Sequence, residues 1–383
     1  MAQGKWGGCG CAVAVLLVVL VALGFIGYKF FLPWWKQQPP APSGGELKVY
    51  VLDVGPVDGD SILIVSPTGK TVLVDAGDVG KGKVVLDALN RSGVKQLDYF
   101  IATHAHPDHI GGASEVLSSI KAVTVLHNDS PPGSDEDEEA NKTEAPPKRK
   151  AVARKTAGKP AELPTVKTYN ELKSAVEQSG AEFKQAEPGQ KYDLGGGAIL
   201  TILAPHQPLF TKEQMRAGGN VPNANSIVAR LDYGDFSMLL TGDAEAQTED
   251  RLLSKSPDLL GAKILKVAHH GSKYATSESF LRRVGPEVAI ISDGEYNRYG
   301  HPAPEVLGRL KAINARLYRT DLQGEISITT TGRIKDGKLY EIRTAKETKS
   351  DLWAGREGQK DDSSRSGFIA YGDFGPPPRQ KKK

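Results

Sequence analysis

The stretch Thr103-His104-Ala105-His106-Pro107-Asp108-His109-Ile110-Gly111-Gly112 decides how the rest of the chain is read. Three imidazoles and a carboxylate fall between His104 and His109. A tight loop can aim His104 and His106 at one cation and Asp108 and His109 at another, because imidazole and carboxylate donors together suit divalent ions. A solvated polar loop is the bland alternative. What precedes the loop argues against it: Leu97-Asp-Tyr-Phe-Ile-Ala-Thr103 has the composition of a buried strand, and α/β proteins place ligands at the C-terminal ends of such strands. Metal-dependent hydrolysis is the expectation.

Working outward, Leu47 to Asp53, Asp60 to Val65 and Thr71 to Gly77 have strand composition and predict an antiparallel opening to a sheet. Asp75, at the end of the third run, is either a solvated turn residue or a group that hydrogen-bonds a metal-ligating histidine and fixes its tautomer; the second reading is preferred. Helices are expected over Val84 to Ser92 and Gly112 to Ile120, and again over Tyr169 to Ser179. A strand at Ala198 to Leu203 is followed by a hairpin of Ile227 to Leu231 and Phe236 to Thr241. The segment Leu239-Leu-Thr-Gly-Asp243-Ala-Glu245 then repeats the motif of an apolar strand ending in glycine and a carboxylate. A tight turn lets such an acid point back into a cleft, and the two oxygens of Asp243 can bridge two cations. The strand Ile264 to Ala268 delivers a second histidine source, His269-His270-Gly271-Ser272. Of the pair, His270 is the preferred ligand and His269 the alternative. Further on, a strand at Val288 to Ser292, a helix at Pro304 to Ile313 and a closing strand at Gly324 to Thr330 are expected.

Composition sets outer bounds. The chain has 383 residues, and its formal charge of +3 is too small to argue for nucleic-acid binding. One catalytic domain with appendages is expected, since roughly 200 to 250 residues can form a single α/β unit. Cys9 and Cys11 lie together near the N-terminus, so no disulfide framework supports the fold. No charge occurs between Trp6 and Tyr28, and Ala12 to Gly27 is almost continuously apolar. That length crosses a hydrocarbon layer of about 30 Å as a helix. Residues 1–36 are therefore read as a single-pass membrane anchor, with the catalytic domain on the extracytoplasmic side; a cleaved signal peptide is the rival. Residues 37–46, rich in proline and glycine, form a spacer. The catalytic domain is placed at 47–344. Within it, 129–165 reads as a disordered insertion with the acidic block Asp135 to Glu139 and the basic block Lys148 to Lys150. Residues 345–383 read as a disordered basic tail.

Taken in order, Leu52-Asp-Val-Gly55, Gly59-Asp-Ser61, Val74-Asp-Ala-Gly77, the histidine loop, Asn225-Ser226, Leu240 to Glu245, His269 to Ser272 and Asn297-Arg-Tyr-Gly-His301-Pro302 resemble a known family. The chain is similar to the metallo-β-lactamase superfamily, and within it to the domain found in ComEC-type competence DNA-uptake proteins. The similarity covers Leu47 to Thr330. It does not extend to the family's large polytopic channel, which one N-terminal span replaces here. Gly55-Pro-Val-Asp58 is an enlarged turn relative to the family's pattern. Many superfamily members use a further histidine between the first loop and the bridging aspartate. Only His127 and His206 lie in that interval, and the ComEC-type pattern has Asn225 and Ser226 there instead.

The resemblance implies a four-layer αββα sandwich, two divalent ions, zinc or manganese, and a phosphodiester substrate, DNA included. Two ions about 4 Å apart can acidify a bridging water and clamp the attacking and leaving oxygens of a diester. The expected nucleophile is then metal-bound hydroxide, with Asp108 orienting or deprotonating the water. His301 is a candidate contact to the leaving phosphate and Arg298 to its oxygens, although both are equally read as structural. The alternatives are hydrolysis of another ester, lactone or lactam on the same scaffold, and a non-catalytic binding domain. The intact set His104, His106, Asp108, His109 and Asp243 argues against the last.

Overall fold

The computed structural model describes residues 42–55, 58–132, 164–216, 219–297 and 299–355. Six strands come first: β1 (Leu47–Val51), β2 (Ile62–Val65), β3 (Thr71–Val74), β4 (Leu97–Ile101), β5 (Ala122–His127) and β6 (Glu182–Gln185). A second group follows: β7 (Lys191–Gly195), β8 (Ala198–Ala204), β9 (Val228–Tyr233), β10 (Phe236–Leu240), β11 (Ile264–Lys266), β12 (Val288–Ile291) and β13 (Arg316–Arg319). The hairpin of β14 (Ile326–Lys335) and β15 (Lys338–Thr344) returns to the first group. The two sheets run β15-β14-β1-β2-β3-β4-β5-β6 and β13-β12-β11-β10-β9-β8-β7.

Each sheet changes character midway. Strands β1 to β3 pair antiparallel and β3 to β6 parallel. In the second sheet β7 to β10 pair antiparallel and β10 to β13 parallel. Parallel neighbours need a crossover, supplied in the first sheet by α1 (Gly82–Arg91), then α2 (Pro107–Ile110) with α3 (Ala113–Ser119), then α4 (Pro164–Ser179). The short α5 (Val221–Ala224) precedes β9, and α6 (Ala246–Lys255), α7 (Glu278–Val284) and α8 (Pro304–Ala312) cross over in the second sheet. The order hairpin, carboxylate, helix, parallel strand, histidines thus occurs twice, once with Asp75 and once with Asp243.

Side-chain alternation along the strands explains why their sequences are continuously apolar. Ile62 and Ile64, Val72 and Val74, Met238 and Leu240, and Val288 and Ile290 share one core that contains residues of both sheets. The intervening Leu63, Leu73 and Phe100 pack with Val85 and Leu89 of α1 and with Val116, Leu117 and Leu172. Leu239, Leu265, Ala289 and Ile291 pack with Leu252, Phe280 and Leu310 on the opposite side. Period-two alternation therefore sends successive residues into two cores, and the layers are helices, sheet, sheet, helices. Each fully buried Leu, Ile or Phe contributes about 1.5–3 kcal/mol relative to exposure.

Three boundaries differ from the sequence reading. Helix α4 already includes Pro164, the first described residue after the gap, rather than starting near Tyr169. The domain also runs past Thr344: Ala345 N donates to Glu325 O, Lys346 N to Gln323 O, and the buried Arg319 donates to Leu352 O and Ala354 O. Leu352 and Trp353 pack against the outer core of the second sheet. Within the span read as an insertion, Ser130 is buried and its backbone N donates to Asn128 Oδ1. Residues 133–163 and 356–383 lie outside the described residues. So do the anchor and residues 37–41 of the spacer, and among the described residues no helix is long and apolar enough to cross a membrane.

Candidate metal centre

The parallel halves of the two sheets present their C-terminal strand ends to one place. Asp75 follows β3, His104 to His109 follow β4, Asp243 follows β10, and His269 and His270 follow β11. Close backbone packing fixes the first loop: Ala76 N donates to His109 O at 2.7 Å and Gly112 N to Gly77 O at 3.1 Å. A Cβ on Gly111 would collide with the backbone of Asp78, Val79 and Pro107, and one on Gly112 with Ala76 O. Two glycines are required there for lack of space.

Asp75, His269 and His270 all adopt positive φ, at 57°, 50° and 50°. Such a conformation costs a residue with a side chain about 1–2 kcal/mol, and strain of this kind concentrates at functional sites. These three residues carry it where strand ends turn into the cleft.

Four groups meet within the cleft. Asp108, His109, Asp243 and His270 each offer a donor atom, all within 4.8 Å of one another. His109 Nε2 lies 3.2 Å from Asp243 Oδ1, and His270 Nε2 lies 3.3 Å from Asp108 Oδ2 and 3.7 Å from Asp243 Oδ2. On the other side of Asp243, its Oδ2 is 3.9 Å from His104 Nε2 and 3.8 Å from His269 Nε2. His104 Nε2 is 3.0 Å from His106 Nδ1. One carboxylate therefore stands between two histidine sets. Asp108 is the outermost member, with its side chain 28% exposed while the other three are buried.

The outward ring nitrogens are held by neighbouring groups, which aims the others inward. His109 Nδ1 is 2.7 Å from Asp75 Oδ2, and His270 Nδ1 donates to Ser292 O at 2.9 Å. Thr103 Oγ1 donates to Asp75 Oδ2 at 2.7 Å and lies 3.1 Å from His104 Nδ1. Ser226 Oγ lies 3.3 Å from the same His104 nitrogen and accepts from Asp243 N at 3.2 Å. Fixing a histidine through its far nitrogen sets both tautomer and ring orientation.

Asn225 does something else. Its Oδ1 accepts from Phe210 N at 2.8 Å and its Nδ2 donates to Phe210 O at 3.0 Å, so it clamps a neighbouring loop and touches no histidine. Asn223, which the sequence reading passed over, has its Nδ2 3.3 Å from His269 Nε2. Also unforeseen is the buried ion pair of Lys266 Nζ with Asp60 Oδ2 at 2.8 Å, whose other oxygen is 3.6 Å from His270 Nδ1. His301 is buried, its ring 5.5 Å from that of His269 and 6.5 Å from that of His270. Arg298 lies outside the described residues. His127 stacks on Phe183, and His206 faces Ser256; neither joins the cluster.

Burial and charge act in opposite directions here. Burial disfavours charge on His109, but the carboxylates of Asp243, Asp108 and Asp75 outweigh it and hold His109 well above the ordinary histidine range. Burial likewise opposes charge on His270, and Asp243, Asp108 and Asp60 raise it to about 10. Burial first, then His109 and His106, push His104 well below its usual value; burial lowers His269 to about 4. Despite burial, His109 and His270 keep Asp108 and Asp243 ionised far below the carboxylate range. The carboxylates thus favour positive charge at these two imidazoles, as they would favour a cation.

The donor set passes a second test. His109 Nε2, Asp243 Oδ1 and His270 Nε2 are buried without an aligned hydrogen-bond partner. Such atoms cost about 1–3 kcal/mol each when left unmatched, and a shared cation would satisfy all three. Imidazole with carboxylate suits zinc, and carboxylate-rich sites admit manganese.

Comparison with known proteins agrees with this geometry. Residues 54–178 match the family described as the metallo-beta-lactamase superfamily. The ComE operon protein 3 of Bacillus subtilis is 30% identical over 320 residues, which cover 79% of this chain and 35% of that protein. Recombination protein 2 of Haemophilus influenzae is 29% identical over 319 residues, 81% of this chain and 32% of that protein. Competence protein ComA of Neisseria gonorrhoeae is 26% identical over 331 residues, 82% and 37% respectively. A layered fold with histidines and aspartates at its strand ends, together with these matches, makes the chain a member of the metallo-β-lactamase superfamily. Within that superfamily it is a ComEC-like protein. It spans about a third of the length of the curated relatives it matches.

Proposed function

We propose that the domain is a metal-dependent phosphodiesterase acting on nucleic acid and held at a membrane by residues 1–36. The observation that carries the reading is the position of Asp243, whose Oδ1 faces His109 and whose Oδ2 faces His104, His269 and His270. In this reading Asp108, His109 and His270 would hold one divalent ion and His104, His106 and His269 the other, with Asp243 available to both. Two such ions, when bound, supply Lewis acidity toward a phosphodiester and make water acidic enough to attack at neutral pH.

The chain's own residues do the rest. Asp75, Thr103, Ser226 and Ser292 keep the imidazoles in one orientation. Asp108, part-exposed at the mouth of the cluster, accepts the proton of the attacking water. His301, with its Nδ1 buried and lacking a hydrogen-bond partner, stands beside His269 as a donor toward the leaving oxygen. The names of the relatives, which refer to competence and recombination, favour DNA over other diesters.

The deciding experiment incubates the full chain with manganese or zinc and three substrates: bis(p-nitrophenyl) phosphate, single-stranded DNA and a β-lactam. Cleavage of the diester and of DNA, abolished by a chelator and restored by metal, is expected. Hydrolysis of the β-lactam with no action on either phosphodiester would overturn the reading.

A further inference from the structure

A cavity of about 360 Å³ is walled by Arg216, Lys273 and Arg309, with Glu245, Gln247 and Tyr274. Three cationic side chains and one carboxylate line it, and the carboxylates of Glu249, Glu305 and Glu278 also act on Arg309 from outside the lining. The lining carboxylate is already committed: Glu245 accepts from Asn220 N at 3.0 and 3.2 Å and from Gln247 Nε2 at 2.8 Å. Arg216 pairs with Asp250, and both are exposed. Lys273 and Arg309 enter no ion pair among the described residues. The half-buried Arg309 donates only to backbone, to Glu305 O at 3.2 Å and to Lys273 O at 3.3 Å. Glu249, near it, is buried with its oxygens turned to Thr276 N and Ser277 N.

The cavity is tied to the cluster by two short lengths of chain. Glu245 is two residues beyond Asp243, and Lys273 three beyond His270. At the reach of an extended chain, their Cα atoms lie within about 7 and 11 Å of those two cluster residues. Those separations are on the scale of one nucleotide unit. A positively charged recess with planar guanidinium donors suits phosphate oxygens.

We propose that this cavity receives the phosphate adjacent to the one being cleaved, so that the preferred substrate is a polynucleotide rather than a molecule with a single diester. The inference rests on the phosphodiesterase reading above. Arg309 and Lys273 bind the second phosphate, Arg216 lies at the rim, and the cluster keeps the scissile diester.

The test uses the full chain loaded with manganese and compares the unphosphorylated dinucleotide dT-dT, which has one diester, with dT-dT-dT, which has two. The trinucleotide is expected to be favoured at least tenfold in kcat/KM. In the Lys273→Ala/Arg309→Gln variant that ratio should fall toward one, mainly through KM. Lys273→Glu, confined to a single side chain, should move the ratio in the same direction and covers the case in which the double variant does not fold. Binding of a non-cleavable trinucleotide needs no turnover: its salt dependence should flatten by about 0.7 for each phosphate that is no longer neutralised. If bis(p-nitrophenyl) phosphate is cleaved but neither the ratio nor the salt slope changes in the variants, the second-phosphate subsite is refuted while the phosphodiesterase reading stands. Absence of cleavage of every diester alongside an intact variant effect on trinucleotide binding would refute the catalytic reading alone.

Discussion

Asp75 Oδ2 lies 2.7 Å from His109 Nδ1 while its Oδ1 accepts from Thr103 N at 2.8 Å, so one buried carboxylate ties the end of β4 to a histidine of the cluster. Burial raises the Asp75 carboxyl, against the opposing effect of His109 and the Thr103 donors.

Replacing that carboxylate tests its orienting role. Asp75→Asn keeps the shape but leaves too few acceptors for Thr103 and His109 together. Metal affinity is expected to fall by about 10–100-fold, the usual cost of losing a group that orients a ligating histidine. A chelator-competition titration measures it. Unaltered affinity in a folded variant would show that Asp75 supports the turn alone.

The cluster's charge balance predicts a pH dependence. His270 is raised from 6.5 to about 10 in the metal-free fold. A folded value above the unfolded one contributes stability that is fully present below about pH 6.5 and lost as pH rises through about 10. A cation must displace that proton to reach Nε2. Apparent affinity for manganese should therefore climb with pH over this window, approaching tenfold per unit for each proton released. Calorimetry in buffers of differing ionisation enthalpy counts the protons; none released on loading would remove His270 from the ligand set.

The segment beyond β15 is part of the folded domain. Arg319 is buried and donates from its Nη1 to Leu352 O at 3.0 Å and Ala354 O at 2.7 Å, with its remaining fork on Asp321. Ending the chain at Thr344 strips those acceptors and uncovers the apolar surface under Leu352 and Trp353. Unmatched buried donors cost about 1–3 kcal/mol each, so a chain ending at Thr344 should melt several degrees below one ending at Gly355. Equal melting temperatures would mean that the segment contributes nothing.

How much of this is legible in the sequence follows from pattern strength. Most central strands are legible because both faces are covered, which makes Ile62 to Val65 or Val288 to Ile291 unbroken apolar runs; the interior β5 is missing from the sequence reading, its run interrupted by the exposed Val123 and by Thr124. Edge strands are not: Glu182–Gln185 has no buried residue, and Arg316–Arg319 is only four residues long with an arginine at each end. The β14–β15 hairpin carries a readable signal in Asp336-Gly337, both at positive φ, the turn chemistry of a tight hairpin. Leu352-Trp353 is likewise an apolar pair in a polar stretch. At the site, the histidines and aspartates that converge are legible from strand ends. Thr103, Asn223 and the Asp60–Lys266 pair are not, because a threonine, an asparagine or an ion pair has a role only through partners distant in sequence. Asn225 misleads for the same reason: adjacency to Ser226 does not place it on the same face.

The final prediction separates ligation from proton transfer. Asp243 is buried at the junction of both histidine sets, whereas Asp108 stands at their solvent-facing edge, 3.3 Å from His270 and 3.7 Å from His109. If Asp243 spans two ions, Asp243→Ala removes a donor from each, and metal content and turnover should fall together. Asp108→Asn retains a ligating oxygen but cannot take up a proton near neutral pH. It should keep most of the metal and most of the affinity for a phosphodiester, while kcat falls by about 100-fold or more, the scale of lost acid–base assistance. Elemental analysis beside single-turnover kinetics reads both quantities on the same preparations. Loss of one ion per chain in Asp108→Asn would instead place Asp108 among the essential ligands, and the water's proton would then have to leave through His301 or solvent.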